Sequence, residues 1–345
     1  MVSTQGIYGT TMTPEACMAI TPVDYTNPRY DAKALRRFAE EALRKAGQSE
    51  AHASELADYL TATDLRGVLS HGTRQLSGYV RSFQSGKYNP KPNIRIYREA
   101  GAVVQWDGDG GIGHLVSARA IRSAVSRART TGICLVTATH CGHTGSVGNW
   151  TRIATGAGMI CLYYSTPMSR LPFDRPEPVV QALNNPPVSF GFPPAEGEPS
   201  VLIDMGVHLE LPDVQREIAE ISVLPLIKGL AYQVVSVMMT WPVDAQSPVE
   251  VRFPGATSSL TAIVLDPAFV GDPSDYTRTV ADLRKKVHAM EPLPGLDRAL
   301  LPGEIEAERE ADFGVHGIPL DDTHIQSLRE LGDDLGVPCY WEKDG

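Results

Sequence analysis

The order of hydrophobic patterns predicts an α/β protein with a helical unit in front of its sheet. Three observations carry that expectation. Between Ala102 and Thr166, short apolar runs alternate with helix-length amphipathic segments. Three helical patterns precede that stretch, from Asp31 to about Tyr88. The chain has 345 residues, 42% hydrophobic and 21% charged, enough hydrocarbon for about two domains at roughly 150 residues each.

Residues 1–30 are rich in Thr, Pro and Gly, show no helical period, and are expected to form an arm leaning on other structure. In DAKALRRFAEEALRKAG, Leu35, Phe38, Ala42 and Leu43 share one helical face and Gly47 supplies a stop. Ser49 is a fitting N-cap for a second helix, SEAHASELADYLTATDLRG. A third, HGTRQLSGYVRSFQSG, presents Leu76, Tyr79, Val80 and Phe83 and completes a helical unit over 31–88. NPKPNIRIYREAG reads as a Pro-broken connection. After it come strand AVVQWD, a Gly-rich turn, the long helix HLVSARAIRSAVSRARTTG and strand ICLVTAT. A helix from Ser146 to Gly158 and strand MICLYYST follow, and Arg170 to Ser200 reads as loop. Strand VLIDM, helical PDVQREIAEI and KGLAYQVVSVMMTW, and strand LTAIVLD close an α/β region over 89–274. The last helices, DYTRTVADLRKKVHAM and DDTHIQSLRELGDDLG, fall within 275–345.

Composition excludes several functions. Acidic residues outnumber basic ones 41 to 31, for a net charge of -10, so a nucleic-acid partner is not expected. The five cysteines are scattered without a C-x-x-C pair, which argues against a disulfide framework and a structural zinc site. No basic start with an apolar run and no bilayer-length apolar segment is visible, so a cytoplasmic protein is expected.

Gly108, Gly110 and Gly113 spell G-x-G-x-x-G between a strand and a helix, the pattern of a dinucleotide-binding turn. The acid that should follow about 20 residues later is missing, and a simple tight turn is the preferred reading. From Gly110 to Phe173 there is no acidic residue, while Arg119, Arg122, Arg127, Arg129, Arg152 and Arg170 all occur. The first four read as the solvated face of one helix. Arg152 and Arg170 remain open as anion-focusing cations. His71, in Ser70-His71-Gly72, and the histidines of Thr139-His140-Cys141-Gly142-His143-Thr144-Gly145 stand in small-residue contexts. The second follows a strand end, where α/β proteins commonly hold ligands. No H-E-x-x-H spacing is present, so acid–base chemistry suits these histidines better than metal binding.

The series TDLRGVLSHGTRQLSGYV, WDGDGGIGHLVSARAI, GHTGSVGNW, NNPPVSFGFP with VLIDMG, IKG, and LPGEIEAERE before GIPLDD resembles the malate/L-lactate dehydrogenase family from about Asp31 to Val337. That family includes ureidoglycolate, sulfolactate and cyclic-imine-carboxylate oxidoreductases. The resemblance implies a non-Rossmann NAD(P)-binding fold with a mixed β-sheet flanked by helices. It also implies a smaller helical unit from both chain ends, and a homodimer. It makes His143 the proton donor to a carbonyl or imine, and places His71 and Tyr79 in the substrate pocket. Ser165, Asp204, Met205, Lys228, Gly229, Pro302, Gly303 and Glu304 match positions near the dinucleotide. Asn185 matches the Asn of the family's TNP.

Several positions differ from the family pattern. Its carboxylate-binding Arg position is Gln75 here, with Arg74 one residue earlier, and its Gly-Gly after PF is Asp174-Arg175. The DMA-S/T pattern is Asp204-Met205-Gly206-Val207, and the segment up to Lys228 is short. Asp174 tilts the expected cofactor from NADP toward NAD, because an acid repels a 2′-phosphate. The expected activity is hydride transfer to or from a small 2-oxo or 2-hydroxy acid, or a cyclic imino acid. An alternative stays open, in which the dinucleotide is not used productively and the pocket does non-redox acid–base chemistry. Gln75 lacks a fixed charge, so simple lactate, malate and pyruvate are expected to be poor ligands, and the substrate should be larger or place its carboxylate toward another cation such as Arg74, Arg152 or Arg170.

Overall fold

The computed structural model describes residues 23–166, 186–206, 238–239, 247–292 and 297–341. The first helices follow their capping chemistry. Asp31 accepts from the Ala34 N–H at 2.8 Å and opens helix α1 (Ala32–Lys45); Ser49 does the same for α2 (Glu50–Leu65) through the His52 N–H. The third helix begins as a 3₁₀ turn, Thr73–Gln75, and becomes α3 (Leu76–Gln84). One core gathers the buried faces of these helices with Phe313, Ile318, Leu320, Ile325 and Leu328 from the far end of the chain. Phe38 sits fully buried in it; truncation to Ala there should cost about 3–5 kcal/mol. Strand β1 (Arg29–Tyr30) and a short strand Ile318–Pro319 pair antiparallel, so residues close to both ends meet in one ladder.

The second core lies under a seven-stranded sheet. Its strands are β2 (Arg95–Ala100), β3 (Val103–Asp107), β4 (Ile133–Cys141), β5 (Ile160–Thr166), β6 (Pro187–Phe192), β7 (Val201–Gly206) and β8 (Ser258–Leu265). They are ordered β2-β3-β4-β8-β5-β6-β7. The 318–319 strand is β9. Among the described strands, only β3 and β4 pair in parallel, joined by the crossover helix α4 (Gly113–Thr131). β8 enters between β4 and β5 and runs antiparallel to both. The sheet is therefore mixed, and consecutive strand–helix–strand units do not make neighbouring parallel strands throughout. Helices α4 and α5 (Gly148–Thr155) cover one face, burying Cys134, Val136, Cys161, Tyr163, Leu260 and Val264.

Among the described residues, helices α6 (Pro248–Arg252), α7 (Pro273–His288), α8 (Glu304–His316) and α9 (Asp322–Leu335) follow. Three elements correct the sequence reading. The Pro-broken connection contains strand β2, the expected loop before Ser200 contains β6, and EIEAEREADFGVH forms α8. The helical readings PDVQREIAEI and, apart from Met238 and Met239, KGLAYQVVSVMMTW lie outside the described residues, as do residues 1–22 of the arm. Among the described residues, no helix is long and apolar enough to cross a membrane.

Candidate active site

β4 carries the central histidine to the end of the sheet. His143 follows the strand by two residues and is part-buried, with its Nδ1 2.7 Å from the Tyr79 hydroxyl of α3. Its backbone N–H donates to the Tyr88 hydroxyl at 3.3 Å. The rings of His71 and His143 lie 5.8 Å apart, and those of His114 and His143 6.3 Å apart. Burial pushes His143 down to about 4, and the neighbouring His71 adds in the same direction. Burial also lowers His71, which Asp204 partly offsets. Tyr79 is raised by burial, so its hydroxyl keeps its proton.

The glycine turn serves this arrangement by closing on it. A Cβ at Gly113 would come within 2.4 Å of the Gly142 carbonyl and 2.7 Å of the His143 carbonyl. The N-terminus of α4 is thus packed against the His143 loop. His114, the next residue, is fully buried against Trp150 and Tyr79, its Nδ1 has no partner, and burial drives its pKa well below the ordinary range.

The turn bearing His71 has its own support. Ser70 Oγ is 2.8 Å from His71 Nδ1. Beneath it, buried Asp64 accepts from the Thr73 N–H at 2.9 Å and from the Thr73 hydroxyl at 2.5 Å. That hydroxyl also lies 3.0 Å from His324 Nε2 in α9. Gly72 is required because a Cβ there would stand 1.8 Å from Asp64 Oδ1. Burial raises Asp64 to about 7 and lowers His324 to about 4.

The expected cations are committed elsewhere. Arg74 pairs with Asp321, the N-cap of α9, because the 3₁₀ turn directs it outward to the last helix. Arg152 is held by both oxygens of Glu310 at 2.8 and 2.9 Å. Arg119 and Arg122 face Glu55, and Arg127 faces Glu99. Four arginines of the acid-free stretch, Arg119, Arg122, Arg127 and Arg152, are therefore paired with acids from other segments. The expectation that Arg74 or Arg152 stands free for a substrate carboxylate is corrected. Gln75 donates from Nε2 to the Ser70 carbonyl at 2.8 Å, bracing the His71 turn from below. Arg170 and Asp174-Arg175 lie outside the described residues.

Among the positions expected near a dinucleotide, Asp204, Met205 and the Pro302-Gly303 turn meet on edge strand β7. Asp204 accepts from the Ser146 hydroxyl at 2.7 Å and the Gly148 N–H at 2.8 Å, and Met205 is 39% exposed. The Leu202 N–H donates to the Pro302 carbonyl at 2.8 Å. The fit is chemical: β7 brings the Asp204 carboxylate, raised by burial, beside the segment that follows His143, and carboxylate oxygens suit the hydroxyl and amide donors of a nucleotide. Ser165 is buried, bonded to Thr144 and to the Ser259 carbonyl. Glu304 is buried in an ion cluster with Arg284 and His288. That cluster borders an open cleft of about 640 Å³, whose lining includes Arg298 and Glu308 and none of the site histidines. Asn185, Lys228 and Gly229 lie outside the described residues. Among the described residues, no group of three or more His, Cys, Asp or Glu is arranged to hold a metal ion.

Sequence reasoning missed His114 and Tyr88. The signal for His114 was available: a histidine at the start of a helix whose next residues, Leu115, Val116, Ser117 and Ala118, are all small or apolar. Tyr88 carried none, because its contact with His143 crosses 55 residues of chain.

Comparison with known proteins gives the family. The family model for malate/L-lactate dehydrogenase matches residues 30–207. The L-lactate dehydrogenase of Cupriavidus necator is 25% identical over 320 residues, covering 83% of this chain and 91% of the relative. A malate dehydrogenase of Pyrococcus abyssi is 35% identical over 187 residues, 54% of this chain and 51% of the relative. The solved malate dehydrogenase of Pyrococcus horikoshii OT3 superposes with a TM-score of 0.75 at 23% identity, covering 92% of this chain and 98% of that one. The fold, the residues gathered around His143 and these matches together place the chain in the malate/L-lactate dehydrogenase family of oxidoreductases.

Proposed function

We propose that the protein transfers a hydride between a nicotinamide dinucleotide and a small 2-oxo or 2-hydroxy acid, or a cyclic imino acid, with His143 moving the proton. The observation that carries this reading is the His143–Tyr79 pair beside His71, at the mouth of an edge strand bearing Asp204. The nicotinamide supplies or takes the hydride when bound. Asp204 and Met205 would hold its near end, and the Pro302-Gly303 turn lies further along the same strand. NAD is favoured over NADP on the strength of Asp174.

The chain's own part is proton transfer and orientation. Tyr79 occupies His143 Nδ1, which leaves Nε2 to face the reacting oxygen or nitrogen. With its pKa near 4, His143 is an unprotonated base at neutral pH, ready to take the hydroxyl proton of a 2-hydroxy acid at Nε2. In the reducing direction the substrate carboxylate itself favours the imidazolium, because an anion among His71, His114 and His143 offsets their mutual repulsion.

Fluorescence titration with NADH and NADPH tests the dinucleotide part. Saturable micromolar binding, tighter for NADH, is expected, and absence of binding at millimolar concentration overturns it. A homodimer is part of the same proposal, to be checked by light scattering at several concentrations; a persistent monomer overturns it.

A further inference from the structure

His140 is not explained by the proton-transfer reading, and its backbone is in a conformation most residues avoid. Its φ is +54°, in the left-handed region, and only Asp109 shares a positive φ among the other described non-glycine residues. It stands where β4 breaks register with β8. Ala138 pairs with Leu260 and Cys141 with Ser258, so β4 carries one residue more than its partner between these pairs. Such a bulge bends a strand and re-aims the side chains after it. Three residues later comes His143.

The bulge is held from the β3 side. His140 Nδ1 lies 3.0 Å from Asp107 Oδ1 at the end of β3, and Asp107 Oδ2 accepts from Arg95 at 3.0 Å. The Thr139 carbonyl accepts from the Gly108 N–H at 2.9 Å, and the His140 carbonyl from the Gly110 N–H at 3.0 Å. The Gly142 N–H donates to the Gly111 carbonyl at 2.8 Å. The glycine turn thus reads the bulged backbone residue by residue, and the Asp107–His140 contact is the side-chain tie in that clamp.

From this arrangement we infer that His140 is a positioning residue: its left-handed backbone and its tie to Asp107 set the bulge that aims His143. The inference rests on the reading of His143 as the proton-transferring group. Its chemistry separates two requirements, because Asn tolerates the left-handed region and can still donate to Asp107, whereas Gly meets only the backbone requirement.

The test uses full-length His140→Asn and His140→Gly proteins labelled with ¹³C-histidine. The His143 resonance, assigned with His143→Asn, is titrated by NMR, and turnover is measured alongside. His140→Asn should keep the wild-type His143 titration and kcat. His140→Gly should fold, because glycine accepts the backbone without strain. Its His143 titration should move toward the ordinary imidazole range, and kcat should fall about 10-fold or more with little change in KM. A His140→Gly protein matching wild type in both readouts overturns the inference. So does a His140→Asn protein as impaired as His140→Gly, which would make the imidazole itself the essential group. If His143→Asn keeps full turnover, the proton-transfer reading fails, while the NMR titration still decides whether His140 sets the loop.

Discussion

The Tyr79 hydroxyl and His143 Nδ1 are 2.7 Å apart, and Tyr79 is 4% exposed, so one phenol engages Nδ1 and leaves Nε2 for substrate in the proposed reaction. Replacing His143 by Asn is expected to slow the chemical step by about 100-fold or more while ligand binding persists. Tyr79→Phe keeps the ring packing and removes only the bond to Nδ1. It should cost about 10-fold in kcat. Single-turnover kinetics on both variants measures this, and near wild-type turnover in His143→Asn removes the assignment.

The pH dependence of hydroxy-acid oxidation follows from the depressed His143. A base with a pKa near 4 stays competent through the mildly acidic range. The acid limb of kcat/KM, which reports the free enzyme, should therefore lie well below the ordinary imidazole value of 6.5. A limb centred at 6.5 would show that His143 is not the base or is not desolvated.

Stability should respond to pH from two opposite directions. His143 and His324 are held near 4 in the fold against an unfolded value near 6.5. Their contribution is present above 6.5 and is lost as pH falls through that value toward 4. Asp64 behaves in reverse: raised from 3.8 to about 7, it contributes fully below 3.8 and loses that contribution as pH rises toward 7. Asp64→Asn keeps an oxygen for the two Thr73 bonds and has no charge to bury. Its Tm relative to wild type should therefore climb between pH 4 and 8. A Tm difference flat across that range would contradict the assignment.

Gln75→Arg is the specificity test. The Arg Nε atom falls at the same chain position as Gln Nε2, so the bond to the Ser70 carbonyl can be kept while the guanidinium extends beyond it. The variant should gain about 10-fold or more in kcat/KM for pyruvate or oxaloacetate, through a charge-assisted carboxylate pair that the native amide cannot make. No gain, or strong native turnover of these acids, refutes the idea.

Much of this fold is legible in the sequence, and the boundary of legibility has physical causes. Leu35, Phe38 and Leu43 announce α1 by spacing alone, and Asp31 and Ser49 announce their caps. His71, Tyr79 and His143 were visible because each sits in a local pattern of small residues or a helical stripe. β2 was missed because all six of its residues are exposed, so no alternation marks it. α8 was missed because its buried face is Glu304, Arg309 and Phe313, two charges and a single ring, rather than an apolar stripe. The fate of Arg74 and Arg152 was not legible at all. Their partners, Asp321 and Glu310, are 247 and 158 residues away, and no local spacing encodes such a pairing.

The bonds from Arg74 to Asp321 and from Thr73 to His324 also set a timetable. A ribosome delivers His71, Tyr79 and His143 well before Asp321 and His324. Until α9 is made and docked, Thr73 and Arg74 lack these far-end partners, and the turn under His71 is unbraced on that side. The earlier-made residues of the candidate site thus wait on a helix whose N-cap lies 247 residues after Arg74. Nascent chains stopped before Asp321 should hold the histidines in sequence but not in register. The brace under His71 then forms only when α9 closes a loop of 247 residues back to Arg74.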